Sequence, residues 1–496
     1  MRKFPPVLLS PLLLFSCSQG VQEPAPNFVV ILVDDLGWAD VACNHPGTFH
    51  ETPNIDRMAR EGIRFTNGYA AHPVCSPTRA ALLTGRHPNR IGITDWLPGD
   101  DPKDRPLIGP ADRSEMALEE VTLAEKLKEK GYATAFVGKW HLGHEEQFWP
   151  EFQGFDINIG GWSAGQPFIR PGISNGYYSP YGNPRLSDGP EGEYLTDRLT
   201  SESLRFMEQH RDKPFLLYLS YYTVHTPIQA AEKHIARFSG KREQLFGDQE
   251  IPHAREGEGY TKLVQESAEY ASMVAALDEN VGRIMDGLRE MGLDRNTWVV
   301  FTSDNGGLST LRRLNAPTSN EPLRAGKGWC YEGGIRVPMI IAGPGIDKPG
   351  TISEKPVVSM DIFPTFLELA GIGCGQVDGV SLLPLLQSGK NGGGAQGPKP
   401  DQSAAVESLD REVLFWHYPH YHGSGWKPGS ALRAGKWKVI MHYEEGITEL
   451  YNLEEDPRER NDLSESMPDK TAEMKQLLDR KLAETGALFP VPNPDL

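Results

Sequence analysis

The sequence predicts an α/β fold with a doubly wound, mostly parallel sheet flanked by helices, followed by a small C-terminal antiparallel sheet with one helix. Three observations support this prediction. Apolar runs rich in β-branched and aromatic residues alternate with helical patterns as far as residue 385. Four of these runs end directly in polar residues. A glycine- and proline-rich stretch then precedes several short strand patterns and one amphipathic helix.

Four strands of the main sheet stand out as continuous apolar runs, which parallel strands covered on both faces require. They are residues 28–33, 132–137, 215–220 and 298–301. Residues 263–292 carry one apolar stripe at helical spacing, so a long helix is expected to pack on this sheet. Residues 413–418, 436–443 and 449–453 predict the small sheet, and residues 468–484 predict its helix.

The chain length of 496 residues favours one large domain and a smaller one. We expect the main domain at residues 27–385, a linker or loop at 386–404, and the C-terminal subdomain at 405–496. The linker contains three consecutive glycines and two prolines, a composition typical of flexible connections.

The first residues resemble an export signal. Arg2 and Lys3 precede an apolar run, residues 7–15, that is too short to span a bilayer. The tetrad Leu-Phe-Ser-Cys ending at Cys17 resembles a bacterial lipobox, although Phe15 replaces the usual small residue. We therefore expect a signal peptide at residues 1–17 with a lipid anchor on Cys17, or ordinary cleavage without lipid. The protein is expected in the periplasm, on the outer membrane of a bacterium, or secreted.

Acidic residues outnumber basic ones, 67 to 50, which gives a formal charge of −17. This charge argues against nucleic acid or an anionic membrane surface as a partner. An anionic substrate would therefore need a local cluster of cations. The five cysteines have irregular spacing, which indicates neither a disulfide framework nor a zinc site.

The most specific motif is residues 75–86, Cys-Ser-Pro-Thr-Arg-Ala-Ala-Leu-Leu-Thr-Gly-Arg. Ser76 and Pro77 suit the N-cap and first position of a helix, and the alanines and leucines that follow favour one. Cys75 is therefore expected at a helix N-terminus, where free backbone N–H groups favour negative charge. A buried structural cysteine beside a helix cap is the alternative.

This motif resembles the signature of the type I sulfatases of the alkaline phosphatase superfamily, and the resemblance covers nearly the whole chain after the signal. In that family a maturation enzyme oxidises the cysteine of Cys-x-Pro-x-Arg to formylglycine, so the resemblance implies that Cys75 becomes a catalytic aldehyde. The hydrated aldehyde has two hydroxyls on one carbon. One attacks sulfur and expels the alcohol, and the other, once deprotonated, collapses to the aldehyde and releases sulfate.

Two polar pairs follow two predicted strands, and the carboxyl ends of such strands meet at one edge of a sheet. Asp34 and Asp35 follow the first strand, and Asp304 and Asn305 follow the last. The resemblance implies that these four residues, with Cys75, hold a metal ion. Their oxygen donors suit Ca²⁺ better than Mg²⁺. Taken alone, each pair could instead be a turn or a helix cap.

The resemblance also assigns roles to five residues in matching motifs. Arg79 would brace the formylglycine hydroxyl, and Lys139 and Lys327 would grip the sulfuryl oxygens. His141 would be the base that triggers sulfate release, and His225 would donate a proton or hydrogen bond to the leaving oxygen. A solvated or capping residue is the alternative for each one taken singly.

Candidates for the substrate rim are aromatic, imidazole and guanidinium side chains in two regions. One region is the glycine-rich stretch 154–192, and the other is the aromatic run at the start of the C-terminal subdomain. The candidates are Trp162, Arg170, His417, His420 and His422. The alternatives are a structural loop for the first region, and for the second a strand packed on the main sheet or a zinc site.

The resemblance implies a sulfuric ester hydrolase that releases sulfate from a sulfated carbohydrate or aryl sulfate. A sulfated galactose or N-acetylgalactosamine unit of a glycan is the preferred substrate. The nearest alternative is a phosphodiesterase or phosphonate monoester hydrolase of the same superfamily, but Lys139 and Lys327 favour a single metal with cationic clamps. A catalytically silent glycan-binding lipoprotein is the alternative from another class, although no expected catalytic residue is missing.

Overall fold

A mostly parallel sheet of eight strands forms the centre of the main domain. The computed structural model describes residues 24–99, 102–387, 409 and 411–496. Across the sheet the strands lie in the order β8-β2-β7-β6-β1-β5-β3-β4, and only β7 runs antiparallel to its neighbours. In chain order they are β1 (Asn27–Val33), β2 (Ile63–Phe65), β3 (Ala133–Gly138), β4 (Ile157–Ile159), β5 (Phe215–Ser220), β6 (Thr297–Ser303), β7 (Met339–Ala342) and β8 (Thr351–Ser353).

The central strand β1 is buried on both faces, which explains why the predicted strands are continuous apolar runs. All seven of its residues are buried, with β6 on one side and β5 on the other. Phe28 and its alternate neighbours join one core cluster, and Val29 and its alternate neighbours join a second cluster on the opposite face. Both faces of the sheet are therefore covered, as the doubly wound prediction requires.

Helices cover the two faces. Side chains of α1, α4 and α6 belong to one core cluster, and those of α2, α3 and α7 to the other. The helices of six or more residues are α1 (Pro53–Glu61), α2 (Cys75–Thr84), α3 (Leu123–Lys128), α4 (Leu195–Gln209), α5 (Glu232–Leu245), α6 (Ala268–Glu290), α7 (Ile362–Leu369) and α8 (Pro468–Glu484). Single helical turns lie at Trp38–Asp40, Pro88–Ile91, Glu146–Phe148, Pro150–Phe152, Asp294–Asn296, Glu332–Ile335, Ser359–Asp361 and Leu383–Leu386.

The long helix α6 begins later than its apolar pattern suggests. The pattern starts at residue 263, but the first helical residue is Ala268 because the Ser267 hydroxyl accepts the Tyr270 N–H and caps the helix there. Residues 263–267 are neither helix nor strand and follow the short strand Gly259–Lys262, which pairs with His253–Glu256 and with Thr310–Leu311. Other short pairs join Gly68–Tyr69 to Val357–Val358, Leu107–Ile108 to Val491–Pro492, and Ile169–Arg170 to Ser174–Asn175.

The C-terminal subdomain is an antiparallel sheet of four strands backed by α8. Its strands follow chain order and are β9 (Leu414–Tyr418), β10 (Gly429–Ala434), β11 (Trp437–His442) and β12 (Ile447–Asn452). Leu432, Val439 and Leu450 pack against α8, whereas Trp416 and Ile440 on the opposite face join the core of the main domain. The subdomain therefore docks on the main domain through an apolar face.

The sequence pattern missed five of these strands, namely β2, β4, β7, β8 and β10. The predicted signal peptide at residues 1–17 and nearly all of the predicted linker lie outside the described residues. Within the described ranges, no helix has both the length and the apolar character needed to cross a membrane.

Candidate active site

Polar side chains gather at the carboxyl edge of the main sheet, where four strands end. Asp34 and Asp35 follow β1, and Asp304 follows β6. Lys139 follows β3, and His225 lies just beyond β5. All except His225 are less than a tenth exposed. The strand ends thus bring residues more than 250 positions apart in sequence into one buried pit.

Cys75 lies at the first position of α2 and faces this pit. The predicted N-cap role of Ser76 is wrong, because the helix already begins at Cys75 after an extended Val74. The Ser76 hydroxyl instead donates to the His141 carbonyl (2.9 Å) and accepts the Leu97 N–H (3.1 Å). The Cys75 Sγ lies 3.6 Å from Asp34 Oδ1, and burial, reinforced by nearby carboxylates, raises the pKa of the thiol to about 12. The unmodified thiol is therefore a poor nucleophile.

Arg79, one helical turn after Cys75, fixes the floor of the pit. Its Nε donates to Asp304 Oδ2 (2.9 Å), and its Nη2 lies 2.7 Å from the same oxygen. Its Nη1 donates to the Lys139 carbonyl (2.9 Å) and to the Ser220 hydroxyl (2.6 Å). Because Ser220 ends β5, one guanidinium joins the ends of three strands. Ser220 was not anticipated from the sequence, where nothing distinguishes it from an ordinary last strand residue.

Two lysines pair with the two aspartates of the pit. Lys139 Nζ lies 2.7 Å from Asp34 Oδ2, and Lys327 Nζ lies 2.7 Å from Asp35 Oδ1. Burial disfavours the charge of Asp35, but Lys327, His225 and Lys139 together outweigh this and hold the pKa of that carboxyl below its usual range. Burial raises the pKa of Asp34 to about 7, and Lys139 only partly offsets this effect. The pit therefore balances buried anions with cations that have no access to bulk water.

The oxygen atoms here suit a hard cation. Asn305 donates through Nδ2 to Asp35 Oδ1 (2.8 Å), while its own Oδ1 is buried with no hydrogen-bond partner among the described residues. Asp34, Asp35, Cys75 and His225 offer ligand atoms that all lie within 4.8 Å of one another. An unpartnered amide oxygen beside carboxylates is a donor set that fits Ca²⁺, and a bound cation would also favour the ionised form of Asp34.

His141 presents one free nitrogen to the pit. Its Nε2 contacts the Leu97 carbonyl, which can only accept, so Nε2 carries the proton. Its Nδ1 is buried without a partner among the described residues. Burial, together with Lys139, lowers the pKa of His141 well below its usual value, so the ring is neutral. Nδ1 is therefore an available base.

His225 has the opposite arrangement. Its Nδ1 donates to the Thr226 carbonyl (2.9 Å), and its Nε2 lies 3.6 Å from Asp35 Oδ2. Nε2 is thus the nitrogen that faces the pit. Burial and Lys327 lower the pKa of His225 to about 3. A proton donated from Nε2 must therefore be one that the ring takes up when an anion is bound beside it.

Comparison with known families agrees with this arrangement. A model described as "Sulfatase" matches residues 26–372, and one described as "N-sulphoglucosamine sulphohydrolase, C-terminal" matches residues 325–487. The chain is 33% identical to N-acetylgalactosamine-6-sulfatase of Mus musculus, covering 90% of this chain and 83% of that protein. It is also 33% identical to human arylsulfatase A, covering 94% of this chain and 89% of the relative. The chain belongs to the sulfatase family.

Solved sulfatase structures share the fold. The crystal structure of Ps i-CgsB in complex with k-i-k-neocarrahexaose superposes with a TM-score of 0.70 at 28% identity, covering 92% of each chain. The sulfatase described here is therefore an enzyme of the alkaline phosphatase superfamily with the α/β architecture and small C-terminal sheet expected from its sequence.

Two backbone features that the sequence did not predict hold residues of the site in position. Asp35 has a left-handed backbone (φ +61°), and the Tyr270 hydroxyl contacts both its carbonyl (3.3 Å) and Asp40 Oδ2 (2.7 Å). Gly138 (φ +108°) lies so close to β5 that a side-chain carbon there would come within 1.9 Å of the Ser220 carbonyl. Glycine thus lets the chain turn and place Lys139. Buried residues such as Asp40 leave no local sequence signal.

Two of the rim candidates, Trp162 and Arg170, line a cleft beside the pit. The other residues that define the cleft include Gln166, Phe168 and Tyr222. The Trp162 carbonyl accepts the His141 N–H (3.2 Å), so one wall of the cleft is bonded to the backbone of a pit residue. Both candidates are at least partly exposed.

The three histidine candidates lie in different surroundings. His417 is fully buried, with Nδ1 against the Ser430 hydroxyl (2.6 Å) and Nε2 against the Leu488 carbonyl (2.9 Å), so the structure places it in packing and not at an open rim. His420 is buried against the Thr94 hydroxyl (2.9 Å). His422 is half-buried beside Gly328, the residue after Lys327, and is the histidine of this group nearest the pit. The three rings have separate partners and form no zinc site.

Proposed function

We propose that this sulfatase hydrolyses a sulfate ester on a galactose or N-acetylgalactosamine unit of a glycan, using formylglycine formed from Cys75. The observation that carries the proposal is the position of Cys75. It begins a helix inside a buried pit, 3.6 Å from a carboxylate, with Arg79, Lys139 and Lys327 around it. A helix N-terminus and three cations suit a tetrahedral anion.

The metal ion in this proposal is Ca²⁺. Asp34, Asp35, Asp304 and Asn305, with the oxygen that replaces the Cys75 sulfur, would hold it. When bound, the ion would supply positive charge to a sulfuryl oxygen and to the formylglycine hydrate. The unpartnered Oδ1 of Asn305 supports this assignment.

The lysines orient the sulfuryl group. Lys139 and Lys327 are held by Asp34 and Asp35. An ammonium group placed in a site without bulk water stabilises developing negative charge more strongly than it would in water. Arg79 braces the first turn of α2 through Asp304, so the residue at position 75 cannot move away from the lysines.

The two histidines divide the proton transfers. The free Nδ1 of His141 is the base that removes a proton from the second hydroxyl at position 75, which allows sulfate to leave. Nε2 of His225 faces the site and, once the ring is protonated beside the bound anion, supplies a hydrogen bond or proton to the departing sugar oxygen. Opposite tautomers, fixed by the carbonyls of Leu97 and Thr226, support these separate roles.

The relatives support a sugar substrate. One relative with 33% identity is named for N-acetylgalactosamine 6-sulfate, and one structural neighbour was solved with a neocarrahexaose. In this chain, Trp162 and Phe168 line one cleft, and the Trp162 carbonyl is bonded to the His141 backbone. Aromatic faces of this kind stack on sugar rings.

We also propose that the enzyme is exported and carries a lipid on Cys17. The export-like residues 1–17 support this proposal. Mass analysis of the mature N-terminus from a bacterial host tests it, because a diacylglyceryl-modified Cys17 supports anchoring and a free N-terminus further along the chain contradicts it.

The first experiment measures the mass of the tryptic peptide spanning residues 65–79 after co-production with a formylglycine-generating enzyme. An aldehyde or its hydrate at position 75 is expected, together with sulfate release from sulfated N-acetylgalactosamine. An intact thiol under these conditions contradicts the proposal. A glycan-binding protein without catalysis would carry the aldehyde, bind the sugar and release no sulfate. Faster phosphate than sulfate release from matched aryl esters would indicate the phosphohydrolase alternative.

A further inference from the structure

Arg170, which lines the cleft beside the pit, has no anionic partner among the residues that the structure describes. Arg170 is exposed on the strand Ile169–Arg170, which pairs with Ser174–Asn175 in a short hairpin. Within the part of the chain that the structure describes, no carboxylate or other acceptor contacts its side chain. In a protein with a formal charge of −17, such a cation is available for a ligand.

An aromatic ring holds this guanidinium in place. The Arg170 guanidinium carbon lies 4.7 Å from the centroid of the Phe168 ring. The Phe168 carbonyl accepts the Ser174 hydroxyl (2.8 Å) and the Gly176 N–H (3.0 Å), so the hairpin fixes the backbone that carries the ring. Stacking restricts the guanidinium without using its N–H donors. Arg170 is thus partly preorganised for a planar, bidentate contact with an anion.

The same segment contacts His141 and the residue that follows His225. The Trp162 carbonyl accepts the His141 N–H, and Gln166 Oε1 accepts the Thr226 hydroxyl (3.2 Å) next to His225. The five steps from Gly165, which abuts the His141 ring, to Arg170 span at most about 18 Å. Arg170 therefore lies within the reach of a short oligosaccharide whose sulfated unit occupies the pit.

We propose that Arg170 and Phe168 form a subsite for a second anionic group of the substrate, a sulfate or carboxylate on a sugar next to the one that is desulfated. This inference rests on the proposed glycan sulfatase function. The subsite would give a multiply charged glycan an advantage over a singly sulfated sugar, although the overall charge of the protein repels polyanions.

The test compares two sugars on matured wild-type enzyme and variants. One probe is singly sulfated N-acetylgalactosamine, and the other is a disaccharide with the same terminal sugar and a second sulfate on the adjoining ring. The measured quantity is the ratio of kcat/KM for the disaccharide to that for the monosaccharide. Arg170→Ala should lower this ratio about three- to tenfold, and Arg170→Lys should lower it less. Arg480→Ala, which removes an exposed arginine from α8, should leave it unchanged.

Added salt should reduce the wild-type ratio more than the Arg170→Ala ratio, because screening weakens an exposed ionic contact. An unchanged ratio in Arg170→Ala, with both sugars still cleaved by wild type, would overturn the subsite alone. An aryl sulfate serves as the reference substrate. If wild type hydrolyses the aryl sulfate and neither sugar, the proposed glycan function fails, and the subsite fails with it.

Discussion

Lys139 Nζ and Asp34 Oδ2 form an ion pair 2.7 Å long between two side chains that are both fully buried. Burying two charges costs several kcal/mol for each ion unless their partners compensate well. Sites that retain such a pair without needing it for stability commonly use it in function. The pair therefore indicates a functional role for the carboxyl edge of the sheet, independently of the sulfatase motif.

Replacing Lys139 should remove sulfuryl binding and leave Asp34 without its cation. We expect Lys139→Met to lower kcat about 10²- to 10³-fold, as loss of one charge-stabilising donor does in other enzymes. Steady-state kinetics on an aryl sulfate measure this effect. Lys128→Met is the control, since Lys128 pairs with Asp156 on the surface and should retain full activity. Equal kcat values for the two variants would contradict the role of Lys139.

Calcium should stabilise the folded protein through Asn305. Removing Ca²⁺ with a chelator should lower the Tm, and restoring it should raise the Tm, because the ion binds only the native pit. Asn305→Ala should raise the Ca²⁺ concentration at half-maximal thermal shift by about tenfold or more. The control is Asn296→Ala, a residue near the start of β6 that donates to the Ala25 carbonyl. Identical Ca²⁺ dependence in both variants would exclude Asn305 as a ligand.

Gly165 should tolerate no side chain, because a carbon added there would lie 2.6 Å from the His141 ring. Gly165→Ala should therefore displace His141 and reduce kcat/KM by about tenfold or more, with little change in Tm. The matched control is Gly240→Ala, since Gly240 lies in α5 with nothing within 4 Å of an added carbon. Wild-type kinetics for Gly165→Ala would show that His141 does not need its present position.

Acid should weaken the junction between the main domain and the C-terminal subdomain. Burial lowers the pKa of His87 and His417 to about 4 and that of His420 to about 3. Because these values lie below the ordinary value of about 6.5, the unfolded chain takes up protons first as the pH falls. The stability that these neutral rings contribute is present at pH 7 and is lost as the pH falls from about 6.5 towards 4.

Each such histidine should account for about 2 kcal/mol of the stability lost between pH 7 and pH 5. His420→Gln should therefore reduce that loss by about 2 kcal/mol in the free energy of unfolding, measured by denaturant titration at both pH values. His144→Gln, at an exposed position, should leave the loss unchanged. The same pH dependence in His420→Gln as in wild type would mean that His420 is not held neutral.

The central strands of the main sheet and the residues that gather at its carboxyl edge could be predicted from sequence because each depends on a local pattern. Continuous apolar runs mark the central strands, and Asp34, Lys139 and Asp304 follow those runs directly. The strands β2, β4 and β8 were missed because they have three residues each. Strand β10 was missed because Gly429 and Ser430 interrupt its apolar pattern.

Other features depend on tertiary partners that no local pattern reveals. Ser76 has the sequence of an N-cap, but the His141 carbonyl and the Leu97 N–H occupy its hydroxyl. His417 lies in an aromatic run that suits either a binding rim or a packed strand, and the strand interpretation holds because Ser430 and Leu488 take both ring nitrogens. Only the assembled structure distinguishes these outcomes.

The hydrogen bonds from Arg79 to Asp304, the Lys139 carbonyl and Ser220 cross-link the ends of β6, β3 and β5. A joint of this kind leaves the reaction centre little freedom to open or reshape around different sugars. A change of substrate specificity would then require changes outside these cross-linked strand ends, in the loops from residue 162 to 170 and from 420 to 427. The protein thus separates a rigid reaction centre from the loops that can vary with the substrate.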